Sequence, residues 1–281
     1  MRVLQVTDCH VLGDPSARVY GVDTYRSLRR VLRAALSLPE PPELVVATGD
    51  LAEDGSDASY RRLREVFLHT CLPVYVVAGN HDSLAAMHRS LIGGAIRTQA
   101  CLDLAAWRVV FLDSTVAGEA YGYLDERELR RLETNLRERA VPVIVCVHHG
   151  PIRPCPGSGC HLRNDAELLA TLGAYSNARV VIAGHAHVEA TRWAGDTELL
   201  TTPATSLQCA HAQQGDLVDH EDFRSSHRFD TSRHGFRMLT LYPDGGFESA
   251  VHWLANEHRA DESLPKHEDT YDKRHRARRP K

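Results

Sequence analysis

Val74-Tyr75-Val76-Val77-Ala78 runs directly into Gly79-Asn80-His81-Asp82. An apolar, valine-rich run that stops at a glycine and continues as Asn-His-Asp reads as a buried strand delivering polar groups to its C-terminal edge. Asparagine offers a neutral oxygen to a cation, and histidine donates or takes a proton near neutral pH. Asp82 follows closely enough to orient that histidine, or to cap a helix. The tetrapeptide gains weight because four other strand-like runs end in groups of the same chemical kind.

Working outward, the run at 3–7 ends in Asp8-Cys9-His10, and Leu44-Val45-Val46-Ala47-Thr48 ends in Gly49-Asp50. Val143-Ile144-Val145-Cys146-Val147 ends in His148-His149, and Arg179-Val180-Val181-Ile182-Ala183 ends in Gly184-His185-Ala186-His187. Helical spacing separates the early strands. Asp23-Thr24 caps a helix whose apolar face is Tyr25, Leu28, Val31, Leu32, Ala35 and Leu36, stopped by Pro39, Pro41 and Pro42. Further helices are predicted at 57–70, after Asp125 (with Leu129, Leu132 and Leu136 on one face), and near 164–173. Residues 97–113 read as an antiparallel pair or edge extension around Ala105-Ala106. Beyond His187 the pattern is β-rich at 188–193, 197–202, 236–242 and 247–253, with turns at Gly195-Asp196 and Asp244-Gly245-Gly246. One domain is expected over 1–256, with 208–235 a long polar loop or flap. Residues 257–281 are charged and read as a disordered tail.

Composition narrows the function classes. Across 281 residues, 43% are hydrophobic and 25% charged, ordinary for a globular protein with a substantial core. A net charge of −4 gives no sign of a nucleic-acid binder. No apolar run approaches the ~20 residues that span a bilayer, and Met1-Arg2 leads straight into a strand rather than a signal peptide. Seven scattered cysteines make no disulfide framework, so a reduced, cytoplasmic protein is expected. Cys155 and Cys160 share a Gly/Pro-rich loop, yet no second pair stands at zinc-finger spacing. Seventeen histidines, many outside apolar runs, favour metal chemistry.

Strands of an α/β sheet bring their C-terminal ends together, where ligands bind. The five ends supply Asp8, His10, Asp50, Asn80, His81, His148, His185 and His187. Imidazole mixed with oxygen suits Mn, Fe, Zn or Co rather than Ca. Apart from His81 these are seven ligands, too many for one transition metal and suited to two, with one carboxylate bridging. In Asp8-x-His10 and His185-x-His187, side chains two apart on extended backbone point the same way. Gly49, Gly79 and Gly184 let the chain turn where each strand ends. Adjacent strand residues point oppositely, so only one of His148 and His149 is expected to face a metal. Glu53 and Asp54 either support the ligands or cap and face solvent. Cys9 needs only a packing role; His161, His211, His220, His227 and His234 are read as loop residues.

Asp-x-His, Gly-Asp, Gly-Asn-His-Asp, His-His and Gly-His-x-His in this order, across residues 8–187, resemble the motif set of the calcineurin-like metallophosphoesterases. Gly21-Val22-Asp23-Thr24-Tyr25, Ala47-Thr48-Gly49-Asp50-Leu51-Ala52 and Leu162-Arg163-Asn164 are similar to the bacterial class III 3′,5′-cyclic AMP phosphodiesterases, as far as about Leu254. The resemblance implies a four-layer α/β/β/α sandwich of two mixed β-sheets flanked by helices. It implies two divalent ions, iron or manganese foremost, with zinc or cobalt as alternatives. Asp8, His10, Asp50 and His187 would hold the first, and Asp50, Asn80, His148 and His185 the second, the motif favouring His148 over His149. His81 is the expected catalytic histidine, and His10, Asp50, Asn80, His81 and His187 the substrate contacts. The reaction implied is hydrolysis of cyclic AMP to 5′-AMP by a metal-bridging hydroxide. His148-His149-Gly150-Pro151 departs from the usual His-His-Pro-Pro, and 208–235 is longer than usual, so another phosphodiester remains the alternative substrate. Glu53 replaces the tyrosine of purple acid phosphatases, and Ala78 the arginine of protein phosphatases. No ligand is missing, which disfavours a non-catalytic scaffold.

Overall fold

The central strands are buried on both faces, and their alternate residues belong to different apolar layers. The computed structural model describes residues 1–138, 140–153, 160–209 and 229–256. One sheet runs β14 (Phe247–Ala255), β13 (Arg233–Leu241), β1 (Arg2–Val6), β2 (Leu44–Thr48), β3 (Val74–Val77) and β4 (Ile96–Arg97). Its β1-β2-β3-β4 portion is parallel, and β13 and β14 add antiparallel. The other runs β5 (Cys101–Leu104), β6 (Trp107–Phe111), β7 (Val143–Val147), β8 (Ala178–Ala183), β10 (Thr197–Thr201) and β9 (Ala190–Ala194). Here β6, β7, β8 and β10 are parallel between two antiparallel edges.

Val45, Ala47, Val74 and Val76 face one way and pack with Leu28, Val31 and Leu32 of α1 (Thr24–Leu36) and Tyr60, Leu63 and Phe67 of α2 (Asp57–Leu68). Met87 of α3 (Leu84–Ser90) joins that layer. Their neighbours Leu44, Val46, Tyr75 and Val77 face the second sheet, meeting Val109, Phe111, Ile144, Cys146, Val180 and Ile182. Val143, Val145, Val147 and Val181 turn outward to Leu132 and Leu136 of α4 (Glu126–Glu138) and to Leu168 and Leu172 of α5 (Asp165–Gly173). The result is the expected four-layer α/β/β/α sandwich. Each buried Val, Leu, Ile, Phe or Met side chain among these contributes about 1.5–3 kcal/mol.

Toward the C-terminal ends of the strands the seam between the sheets turns polar. Gln5 donates to the Thr48 hydroxyl at 2.9 Å and to the Ala183 carbonyl at 3.2 Å, and accepts from Thr202 at 2.6 Å. Buried Arg237 donates to Thr202 Oγ1 and to the Thr201 carbonyl. These bonds hold the two sheets at a fixed separation where their ends meet, because unmade bonds of buried polar groups are expensive.

Asp23, Ser56 and Ser83 cap α1, α2 and α3, and Asp125 Oδ1 accepts from the Glu128 amide at 2.8 Å. Asp82, read as a possible cap, is not one: Ser83 does that work. The seven-residue α3 and a two-stranded ribbon, β11 (Gln208–Cys209) with β12 (Phe229–Asp230), are too short for periodicity to mark. Within 208–235, residues 208–209, 229–230 and 233–235 are therefore strand, and 210–228 lie outside the described residues. So do Cys155, His211, His220, His227 and the tail 257–281. His234 is not a loop residue but a buried one in β13, bonded to Ser27 and the Ser206 carbonyl. Among the described residues, no helix is long and apolar enough to cross a membrane.

Candidate metal centre

The five polar strand ends do converge, and they come from both sheets. Asp8, His10, Asp50, Asn80 and His81 leave β1, β2 and β3, while His148, His185 and His187 leave β7 and β8. Asp8 Oδ1 lies 3.3 Å from His187 Nε2, and His10 Nε2 lies 3.1 Å from the same nitrogen. On the other side, His148 Nε2 is 3.2 Å from Asn80 Oδ1. Asp50 Oδ2 stands between the halves, 3.8 Å from His10 Nε2 and 3.3 Å from His148 Nε2. Among the described residues, Asp8-His10-His187, Asp8-Asp50-His148 and His148-His149-His185 each bring ligand atoms within 4.8 Å of one another.

The backbone achieves this by twisting out of the strand conformation. Asp8, His10, Asp50, His185 and His187 all have φ between 47° and 67°. That left-handed region is uncommon for residues other than glycine and marks sites where surrounding structure holds a strained geometry. So Asp8 and His10, and likewise His185 and His187, converge through left-handed residues rather than along extended segments. Gly49 turns at φ 94°, as expected. Gly79 and Gly184 serve differently: a Cβ would lie 2.3 Å from the Asp50 amide in one case and 1.9 Å from Thr7 Oγ1 in the other. Gly79 makes room for Asp50, and Gly184 for the side chains of Thr7 and Asp8.

The outward nitrogens of three imidazoles are fixed, which aims the inward ones. His10 Nδ1 meets Glu53 Oε2 at 2.7 Å, His148 Nδ1 donates to the Thr48 carbonyl at 2.8 Å, and His187 Nδ1 to the Leu207 carbonyl at 2.8 Å. In the neutral ring each Nε2 would then carry the lone pair facing its neighbours, the arrangement found behind metal-ligating histidines. His185 Nδ1 is buried without a hydrogen-bond partner among the described residues. An orphaned imidazole nitrogen amid carboxylates and other imidazoles is costly without a cation. The donor set therefore fits a pair of divalent ions.

Charge follows the same geometry. Burial alone would raise the Asp50 and Asp8 carboxyls, but the imidazoles of His148 and His187 outweigh it and hold both below the usual range. Burial works against charge on His148, yet Asp50 and Asp8 push it up to about 9. His185 goes the other way, lowered to about 4 by burial and by His148. Burial pushes the Cys9 thiol up to about 12, in keeping with a packing role.

His149 is the residue that alternation misjudges. The ladder of β7 ends at Val147, so His148 and His149 are not on strand backbone, and both rings turn inward. His149 Nε2 sits 3.1 Å from Asn80 Oδ1, with its Nδ1 2.9 Å from Ser114 Oγ. Burial together with His185 and His148 keeps it neutral. Asp82 also departs from expectation. It accepts from the amides of Leu51, Ala52 and Gly79 and from the Tyr60 hydroxyl, tying the β2 and β3 ends together. The group beside His81 is instead Glu53, whose carbonyl lies 3.1 Å and Oε2 3.3 Å from His81 Nδ1. Asp54 stays local, bonding Ser56 and Ser59 at the start of α2.

A two-part imidazole–carboxylate centre spanning the ends of two facing sheets is the site of a metal-dependent phosphoester hydrolase. Residues 1–189 match the family described as Calcineurin-like phosphoesterase, and the chain belongs to that family, whose members use paired metals. It is 32% identical over 255 residues to the 3′,5′-cyclic adenosine monophosphate phosphodiesterase CpdA of Pseudomonas aeruginosa, covering 89% of this chain and 88% of that protein. To the enzyme of the same name from Escherichia coli K12 it is 32% identical over 260 residues, 91% and 90% of the two chains. A dimetal phosphatase from Danio rerio shares the fold at a TM-score of 0.61 and 14% identity, over 86% of this chain and 93% of that one.

Proposed function

We propose that this protein hydrolyses 3′,5′-cyclic AMP to 5′-AMP as a two-metal phosphodiesterase. The observation that carries the reading is the coincidence of an unbroken ligand set, aimed by fixed Nδ1 atoms, with likeness to cyclic AMP phosphodiesterases over 89% of the chain. Asp8, His10, Asp50 and His187 would hold one ion, and Asp50, Asn80, His148 and His185 the other. The central place of Asp50 Oδ2 supports its sharing between them, and His149 is placed to back Asn80. Such a pair, when bound, acidifies water and neutralises a phosphoryl group; manganese and iron suit this mixed donor set.

The chain's own residues handle the leaving group. His81 loses charge to burial but regains it from Asp50 and Glu53, which raise its pKa. With Nδ1 turned to the Glu53 carbonyl, the charged ring would deliver a proton from Nε2 to the departing ribose oxygen. His10, Asp50, Asn80 and His187 are the remaining groups proposed to line the phosphate. A cytoplasmic location belongs to the same reading, supported by Cys9, Cys71, Cys101 and Cys146 being free thiols.

The test is turnover by manganese-loaded protein against cyclic AMP and bis-p-nitrophenyl phosphate, with 5′-AMP followed by chromatography. Cleavage of the synthetic diester alone would remove cyclic AMP as substrate and leave the chemistry standing. His81→Ala is expected to lower kcat by about 100-fold or more with two metals per chain retained. Undiminished kcat would remove its role.

A further inference from the structure

An aromatic pair stands next to the centre without a part in the bond-breaking chemistry. Tyr20 is 41% exposed and lies at φ 48°, followed by Gly21 at φ 80°. Val19 and Val22 close this two-residue turn with reciprocal amide–carbonyl bonds of 3.1 and 2.9 Å. Turns with two left-handed central residues favour Asn, Asp or Gly at the first of them. A bulky aromatic there is a backbone outlier, and an outlier near a reactive centre points to use.

The turn is anchored to the site, because Thr24 Oγ1 donates to the His10 carbonyl at 2.8 Å. Phe229 is anchored as well: it pairs with Cys209 in the ribbon, and the Cys209 amide donates to the His187 carbonyl at 2.9 Å. The Tyr20 and Phe229 rings lie 4.6 Å apart, and Phe229 is 6.4 Å from the His187 ring. His187 is 5.0 Å from His10, which is 4.8 Å from His81. A continuous row of rings thus runs from the proposed proton donor to an exposed tyrosine.

We infer that Tyr20 and Phe229 form the surface on which the substrate's nucleobase stacks, with Tyr20 setting selectivity for base-bearing over base-free cyclic phosphates. This rests on the proposed cyclic-nucleotide reading. A cyclic phosphate fused to ribose is rigid, so phosphorus held among the ligands carries the base a fixed, short way along the rim. Every base offers a π face, so stacking selects for a ring without reading its edge. The pair accordingly favours purines for their area and does not tell adenine from guanine.

The test uses the full, metal-loaded chain and the ratio of kcat/KM for cyclic AMP to that for an abasic ribose 3′,5′-cyclic phosphate. Tyr20→Asn suits the left-handed turn and removes the ring; Tyr20→Phe keeps it. Tyr20→Asn and Phe229→Ala are expected to lower the ratio about tenfold, the scale of one base–aromatic contact, and Tyr20→Phe to preserve it. A ratio unchanged in Tyr20→Asn, whether or not both rates fall, overturns the assignment and leaves the cyclic AMP reading intact. Wild-type protein that cleaves bis-p-nitrophenyl phosphate but no cyclic nucleotide refutes the substrate and this surface with it.

Discussion

Glu53 shows how one carboxylate can serve two imidazoles. Its Oε2 lies 2.7 Å from His10 Nδ1 and 3.3 Å from His81 Nδ1, so it aims one proposed ligand and charges the proposed proton donor. Glu53→Gln is expected to weaken binding of the ion at His10 by roughly 10–100-fold, read by competition against a chelator, with most turnover returning at saturating metal. The state of His148 makes a second prediction. Burial opposes its charge, but Asp50 and Asp8 raise its pKa from 6.5 to about 9 in the metal-free protein. A raised histidine stabilises the fold below pH 6.5, and that contribution fades as pH rises through about 9. A metal requires the neutral ring, so uptake at pH 7.5 must release a proton and affinity must climb toward pH 9. Calorimetry in two buffers of different ionisation enthalpy would show it, and identical heats would count against it. Asp8, Asp50 and His187 were legible because each follows a continuous apolar run. His149 was not, because pairwise alternation holds only while the ladder persists, and it stops at Val147.

At the level of elements, the strand ends are held by what is absent from Gly184 as much as by what is present. A methyl there would sit 1.9 Å from Thr7 Oγ1 and 2.7 Å from Asp8 Oδ2, pressing β8 away from β1. Gly184→Ala is expected to destabilise by about 1–3 kcal/mol and to impair metal uptake. At Gly173, near the end of α5, the same methyl meets nothing within 4 Å. Gly173→Ala is expected to be neutral or to stabilise by up to about 1 kcal/mol. Urea titrations of the two variants check the opposite signs. The buried strands could be read from sequence because β2, β3, β7 and β8 are apolar throughout. Element α3 could not, since seven residues hold too few turns for a periodic signal. The ribbon of β11 and β12 escaped for the same reason, its strands being two residues each.

For the whole molecule, the proposed ions would join two sheets that otherwise meet through an apolar layer and one polar seam. The proposed ligands leave β1, β2 and β3 on one side and β7 and β8 on the other, so metal binding would stabilise the interface itself. Metal at 100 times its dissociation constant contributes about 2.7 kcal/mol. At about 2–4 °C per kcal/mol for a chain of this size, stripping one ion should lower Tm by roughly 5–10 °C and stripping both by roughly 10–20 °C. A melt in chelator that matches the loaded protein would contradict this. Five of the residues placed there, Asp8, His10, Asp50, His185 and His187, keep a left-handed backbone shape that only glycine adopts without strain. Catalysis and sturdiness therefore pull in opposite directions in this fold. A descendant released from hydrolysis could adopt asparagine or glycine at those positions, and its ion-free form would outlast its ancestor's, an inert shell tougher than the working enzyme.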